Sequence, residues 1–334
     1  MRINITPAKL KSGDIIRVIS PSRSMSLLSW GTIDLATTRL TSLGLNVTFS
    51  KNVLEKDRFL SSTIESRIAD LHEAFIDPAV KGIFTTIGGF NCNQLLSYID
   101  YNLIQNNPKI FCGFSDITAL ATAIHTKTGL VTYSGPHFST FAMKKGLDYT
   151  LEHFCKCLFE NEDIELRASE EWSNDAWWEE QEEREFHKNP GWTVLNRGTE
   201  KKLEGKILGG NISALAALHG TQYMPKFDQN TILYIEECQE QAVQFFDRIL
   251  QSIIHQEGFG NVKALLIGRF EKTNGMSPEF LEAIINSKNE LKNLLVVANL
   301  DFGHTTPIFT FPIGGYCSID LTKELLVKIH GDSK

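Results

Sequence analysis

The run from residue 108 to 119, Pro-Lys-Ile-Phe-Cys-Gly-Phe-Ser-Asp-Ile-Thr-Ala, restricts the fold more than any other part of the chain. Ile110, Phe111 and Cys112 read as a short strand buried on both faces. The Ala/Thr/Leu-rich residues that follow Asp116 carry helical spacing. A buried strand with a helix starting at once belongs to a parallel α/β sheet. It presents the Ser115 hydroxyl at the C-terminal edge of that sheet, beside the first free N–H groups of the helix. Taken alone, Ser115 and Asp116 are explained equally well as helix caps, because caps favour these residue types.

The same alternation runs through the first half of the chain. Strand-like runs at 15–20, 45–49, 80–87 and 131–134 are separated by a helical segment ending near Leu43 and another at 64–75. Leu95, Leu96 and Ile99 mark the next expected helix. This pattern predicts a doubly wound parallel sheet with helices on both faces. Ligands of such sheets bind beyond the carboxyl ends of the strands. Two loops fall there, Gly88-Gly89-Phe90-Asn91 and Gly113-Phe114-Ser115-Asp116. Paired glycines let backbone N–H groups approach a ligand closely. They do not make the Gly-x-Gly-x-x-Gly dinucleotide fingerprint.

A length of 334 residues exceeds one ordinary hydrophobic core, so two domains are expected, at 1–150 and 201–334. Between them, 151–200 changes character. Trp172, Trp177, Trp178 and Trp192 fall in it, with eight acidic residues from 170 to 185. Indole offers a flat stacking surface that suits a nucleobase, while a tryptophan-anchored linker explains the same residues without a ligand. In the second domain a strand-like run leads into Gly209-Gly210-Asn211 and a short helix, whose N-terminus could hold a carboxylate. The strand at 231–235 runs into Glu236-Glu237, and the strand at 294–299 runs into Asp301-Phe302-Gly303-His304-Thr305-Thr306-Pro307.

A net charge of −7 argues against a nucleic-acid polymer as partner, since that surface needs a basic patch. No apolar run approaches a membrane span, and the polar residues 1–13 lack the apolar core of a signal peptide. The six cysteines have no ligand-type spacing. A cytoplasmic protein with a metal-free, cofactor-free site is expected.

Ser115, one of Glu236 and Glu237, and His304 are polar groups at strand ends. Nucleophilic catalysis needs a hydroxyl, a base to take its proton and an acid to orient the base. The order Ser, acid, His is shared with α/β-hydrolases, but Ile117 stands where their Gly-x-Ser-x-Gly elbow has its second glycine. Periodicity does not choose between the two glutamates.

The chain resembles the LD-carboxypeptidase family of serine peptidases, and within it the microcin C immunity branch. The resemblance rests on Gly13-Asp14, Ser20-Pro21-Ser22, Arg67 with Asp70-Leu71, Asp77-Pro78, Ile87-Gly88-Gly89, Leu95-Leu96 to Asp100, and Gly113-Phe114-Ser115-Asp116. It continues through Gly209-Gly210-Asn211, Ile235-Glu236-Glu237, Gly303-His304 and Pro307. It implies a flavodoxin-like N-terminal domain, a C-terminal α/β domain of the family's own type, and a site between them. It implies Ser115 as nucleophile, Glu236 as acid and His304 as base. The oxyanion hole would be the backbone N–H groups of Gly88, Gly89 and Asp116. Trp177 or Trp178 would stack on a substrate base, with Gly210 and Asn211 also contacting substrate. The implied substrate is a peptidyl or aminoacyl nucleotide, cleaved at the carboxamide next to a terminal aspartyl group, in a homodimeric enzyme giving immunity or detoxification. The alternatives are release of D-alanine from murein tetrapeptide by the same triad, and a non-catalytic two-domain binding module.

Overall fold

The computed structural model describes residues 4–179 and 181–331. The first half contains β1 (Ile15–Ile19), α1 (Trp30–Ser42), β2 (Asn46–Phe49), α2 (Ile64–Ile76), β3 (Val80–Thr85), α3 (Tyr101–Asn106), β4 (Ile110–Cys112), α4 (Ile117–Thr128) and β5 (Thr132–Ser134). Ser29 and Thr63 start α1 and α2 by accepting the N–H of Thr32 and Ser66 on their hydroxyls. β1 pairs in parallel with β2 and β3, β3 with β4, and β4 with β5. The resulting order 2-1-3-4-5 is the flavodoxin-like one, whose topological switch point lies between β1 and β3. Leu95, Leu96 and Ile99 do not build the helix their spacing suggests. Cys92–Leu95 is one 3₁₀ turn, and the chain restarts at Asp100, whose carboxylate caps α3 at the N–H of Leu103.

The chain continues with α5 (Asp148–Phe159), β6 (Ile164–Leu166), β7 (Glu171–Trp172), β8 (His187–Lys188), β9 (Thr193–Arg197), β10 (Lys202–Asn211), α6 (Ile212–Ala216), β11 (Thr231–Glu236), α7 (Val243–Ile254), β12 (Val262–Gly268), α8 (Pro278–Asn286), β13 (Leu295–Leu300), β14 (Phe311–Ile313), β15 (Tyr316–Asp320) and β16 (Leu326–Ile329). The second sheet runs β6-β16-β15-β10-β11-β12-β13-β9. β10 to β13 form its parallel centre, and antiparallel strands extend it on both sides. The sheet is therefore mixed. Among the described residues beyond Asp301 no α-helix separates the strands, so β15 and β16 pair as an antiparallel hairpin.

The sheets divide the chain differently from 1–150, 151–200 and 201–334. β6 and β9, inside the expected interdomain segment, are strands of the second sheet, and β14 crosses back to pair antiparallel with β5 in the first. The seam is apolar: Tyr234 of β11 stacks on Phe311 of β14 with ring centroids 4.6 Å apart, and Phe302 packs beside both. Among the described residues no helix is long and apolar enough to cross a membrane.

Candidate active site

Ser115 occupies the turn between β4 and α4 with φ 60°, a left-handed conformation that costs a non-glycine residue energy. Gly113 makes the tight turn feasible, because a Cβ there would lie 2.2 Å from the Thr85 hydroxyl. The neighbouring loop reaches the serine closely: a Cβ at Gly88 would stand 3.0 Å from both Cβ and Oγ of Ser115. Among the described residues, the N–H groups of Gly88, Gly89 and Asp116 donate to no backbone carbonyl. The Asp116 carboxylate is structural, accepting the Ser22 hydroxyl at 2.6 Å and the Cys92 N–H at 3.0 Å. It thereby ties three loops of this sheet edge together.

The second sheet brings its groups to the same point. Glu236 is the last residue of β11, and His304 lies on the loop after β13. His304 Nε2 is 3.0 Å from Ser115 Oγ, and its Nδ1 is 2.6 Å from Glu236 Oε2. Two glycines make room for the buried carboxylate. A Cβ at Gly303 would fall 2.7 Å from Glu236 Oε2, and one at Gly268 would fall 2.8 Å from Glu236 Cβ. Burial works against a charged His304, yet the Glu236 carboxylate, helped by Glu271 and Glu237, raises the imidazole to about 9.

The alternation of side chains along a strand separates the two glutamates. Glu237 turns away from His304 and accepts Asn211 Nδ2 at 3.1 Å, the Cys238 N–H at 3.0 Å and the Ser213 hydroxyl. The carboxylate held near the start of α6 is thus the chain's own. Asn211 makes two further bonds: its N–H donates to Thr118 Oγ1 at 3.0 Å, and its Oδ1 caps the N–H of Ala214. At Gly210 a Cβ would lie 2.5 Å from Thr118 Oγ1. Gly210 and Asn211 thus also make the contact between β10 and α4.

The tryptophan-rich segment separates into two kinds of residue. Trp192 Nε1 donates to Asp301 Oδ2 at 2.9 Å, and the Arg269 guanidinium lies 4.9 Å from the centre of the Trp172 ring. These two indoles anchor the segment. Trp178 is 60% exposed, and the half-buried Trp177 meets it edge-on at 5.9 Å. Ser173 and Thr306 exchange backbone hydrogen bonds of 2.8 Å, which roots the segment two residues from His304. An ion pair between Arg184 and Asp175 fixes its tip, and Arg184 also donates to the Lys145 carbonyl.

Three residues that matter here are given no role by the sequence. His137 is buried, stacks on Phe114 at 4.3 Å and pairs through Nδ1 with the Thr85 hydroxyl at 2.9 Å. Burial, reinforced by the nearby His304, lowers its pKa to about 3, so it stays neutral. Phe114 bridges His137 and His304. Asp301 accepts bonds from Ser169, Asn189, Trp192 and Arg269, locking the root of the His304 loop. The polar run beginning at Asp301 was the available signal; nothing local singles out His137 or Phe114.

A serine, an imidazole and a buried carboxylate in line at the seam of two α/β sheets define a serine-hydrolase type of site. The sequence profiles of the LD-carboxypeptidase N-terminal and C-terminal domains match residues 16–135 and 204–319, and the chain belongs to this family. YocD of Bacillus subtilis, which carries a carboxypeptidase name, is 52% identical over 313 residues, covering 94% of this chain and 95% of its own. The crystal structure of an MccF-like protein from Bacillus anthracis superposes with a TM-score of 0.94 at 51% identity, covering 97% of this chain and 99% of that one. The microcin C7 self-immunity protein MccF of Escherichia coli is 30% identical over 322 residues, covering 94% of this chain and 92% of its own. Its structure in complex with aspartyl sulfamoyl adenosine matches with a TM-score of 0.87 at 28% identity, covering 98% of each chain.

Proposed function

We propose that this protein is a serine amidohydrolase that cleaves the carboxamide between a terminal aspartyl group and a nucleotide. The observation that carries the reading is the line Ser115–His304–Glu236, with spacings of 3.0 and 2.6 Å. His304 takes the Ser115 proton as the oxygen attacks the carbonyl carbon. Glu236 holds the imidazole in orientation and stabilises its cation. The N–H groups of Asp116 and the Gly88-Gly89 loop receive the developing oxyanion. The amide C–N bond then breaks, His304 returns its proton to the leaving nitrogen, and water releases the aspartyl group from Ser115. The MccF complex with aspartyl sulfamoyl adenosine supports this substrate class. Trp177 or Trp178, on a segment rooted beside His304, is the proposed stacking surface for the base. A detoxifying or immunity role in a cytoplasmic homodimer completes the proposal.

The decisive experiment assays one purified sample on aspartyl sulfamoyl adenosine and on murein tetrapeptide. Preference for the adenylate supports the reading, and preference for the tetrapeptide replaces it with D-alanine release by the same triad. Turnover of neither, with no labelling of Ser115 by an active-site serine reagent, leaves a binding module. Trp177→Ala and Trp178→Ala are expected to weaken only the nucleotide substrate, by about 10-fold or more for the residue that stacks. Equal losses on both substrates would remove the stacking role.

A further inference from the structure

We propose that Arg23 is the anion-recognition residue of this site, binding a negatively charged oxygen group of the substrate next to the bond that is cut. This rests on Ser115 being the reacting residue and adds a binding role on the first sheet's side of the site. Arg23 lies on the loop after β1, at the switch point of the first sheet where ligands of such sheets bind. Its backbone is locked to the loop beside the serine: its N–H donates to the Gly88 carbonyl at 3.3 Å, and its carbonyl accepts the Thr86 hydroxyl at 3.2 Å. The same Gly88 stands against Ser115.

The side chain follows the loop outward. A Cβ at Gly89 would lie 3.0 Å from Arg23 Cγ, so the stem packs on this glycine. The guanidinium then rests 4.4 Å from the centre of the Phe90 ring, which is 63% exposed. Arg23 is held in place yet uncommitted. Among the described residues it forms no ion pair, its guanidinium makes no hydrogen bond, and its buried Nε has no partner. Arg67, nearby, shows the contrast: its guanidinium bonds the Pro21 carbonyl, Asn91 and Gln94. A guanidinium fixed by stacking, with its donors open, suits a planar or tetrahedral oxyanion. Glu236, Glu237 and Glu271 make the other side of the site acidic. A positive group on the loop bonded to Gly88 offers the anionic part of a substrate a partner other than these carboxylates. The shared chemistry is an oxyanion flanking the scissile amide, which either a nucleotide phosphoryl group or a peptide carboxylate supplies.

Calorimetry on wild type, Arg23→Gln and Arg23→Lys separates the sources, with AMP against adenosine in one arm and a murein tetrapeptide against its C-terminal amide in the other. Wild type is expected to prefer the anionic member of one pair. Arg23→Gln is expected to lose about 10- to 100-fold for that member while binding the one without that anionic group unchanged, and Arg23→Lys to recover part of the loss. Discrimination between tetrapeptide and amide alone would overturn the nucleotide reading and keep the role of Arg23. Arg23→Gln that weakens both members of a pair alike, or neither, overturns the proposal, as does a wild type that does not distinguish the members of either pair. Thermal melting of each variant confirms that the comparison is made on folded protein.

Discussion

At the N-terminal edge of the site the reactive group is held by backbone geometry, whereas at the C-terminal edge it is held by charge. Ser115 sits at φ 60° in a turn approached closely by Gly88, and the nearby N–H groups are left open. Glu236, Glu237 and Glu271 are all buried, and Glu237 and Glu271 have their own donors. The first edge keeps its donors available because the sheet's main chain needs nothing from them. The second must pair the charges it buries, since an uncompensated buried carboxylate costs far more than a polar turn, and among the described residues Glu236 does so through His304 alone. The two edges should therefore fail differently when altered.

The largest effect is expected at Ser115. Ser115→Ala should lower kcat by about 10⁴-fold or more while leaving the melting temperature near wild type, and retention of turnover would refute the assignment. Next, Glu236→Gln should cost about 10³- to 10⁴-fold in kcat, because the amide no longer fixes and stabilises the imidazole. Glu237→Gln should instead act on folding, costing about 1–3 kcal/mol in urea denaturation, since three donors lose an anionic acceptor. Reversal of those two outcomes would exchange the roles of the adjacent glutamates.

A smaller effect is expected in the pH profile. With His304 raised to about 9, the neutral imidazole that accepts the Ser115 proton forms as pH rises, so kcat/KM should climb towards that value. Glu271→Gln removes one negative neighbour, lowers the His304 pKa and should move the climb to lower pH. A climb that stays in place, or moves upward, would deny Glu271 this influence. The smallest effect isolates the backbone: Ser115→Gly should be more stable than Ser115→Ala by about 1 kcal/mol in chemical denaturation, because glycine relieves the left-handed strain. Equal stability would mean that the turn is not strained.

What sequence reasoning reached follows the range of the interactions involved. The passage from β4 through Ser115 into α4 is local, and its apolar run and glycine reveal it directly. Strand-end placement of Glu236 and His304 follows for the same reason. The choice between Glu236 and Glu237 depends on which face of β11 meets the His304 loop, a fact about two segments nearly 70 residues apart. The antiparallel flanks of the second sheet are short strands whose pairing is decided by distant partners, and α3 begins where Asp100 caps it rather than where leucines cluster. His137 is invisible in sequence because its stacking on Phe114 and its bond to Thr85, both distant in the chain, bring it to the serine.

The return of β14 to the edge of β5 has a consequence for how the chain can be made. As it leaves the ribosome, the N-terminal sheet must wait for residues 311–313 with the outer side of β5 uncovered, while six strands of the second sheet, β6 and β9 to β13, are being synthesised. An uncovered strand edge invites pairing with another chain. Splitting the gene between the two sheets should therefore yield an N-terminal fragment that aggregates, and a synthetic peptide carrying Phe311–Ile313 and its flanks should rescue its solubility.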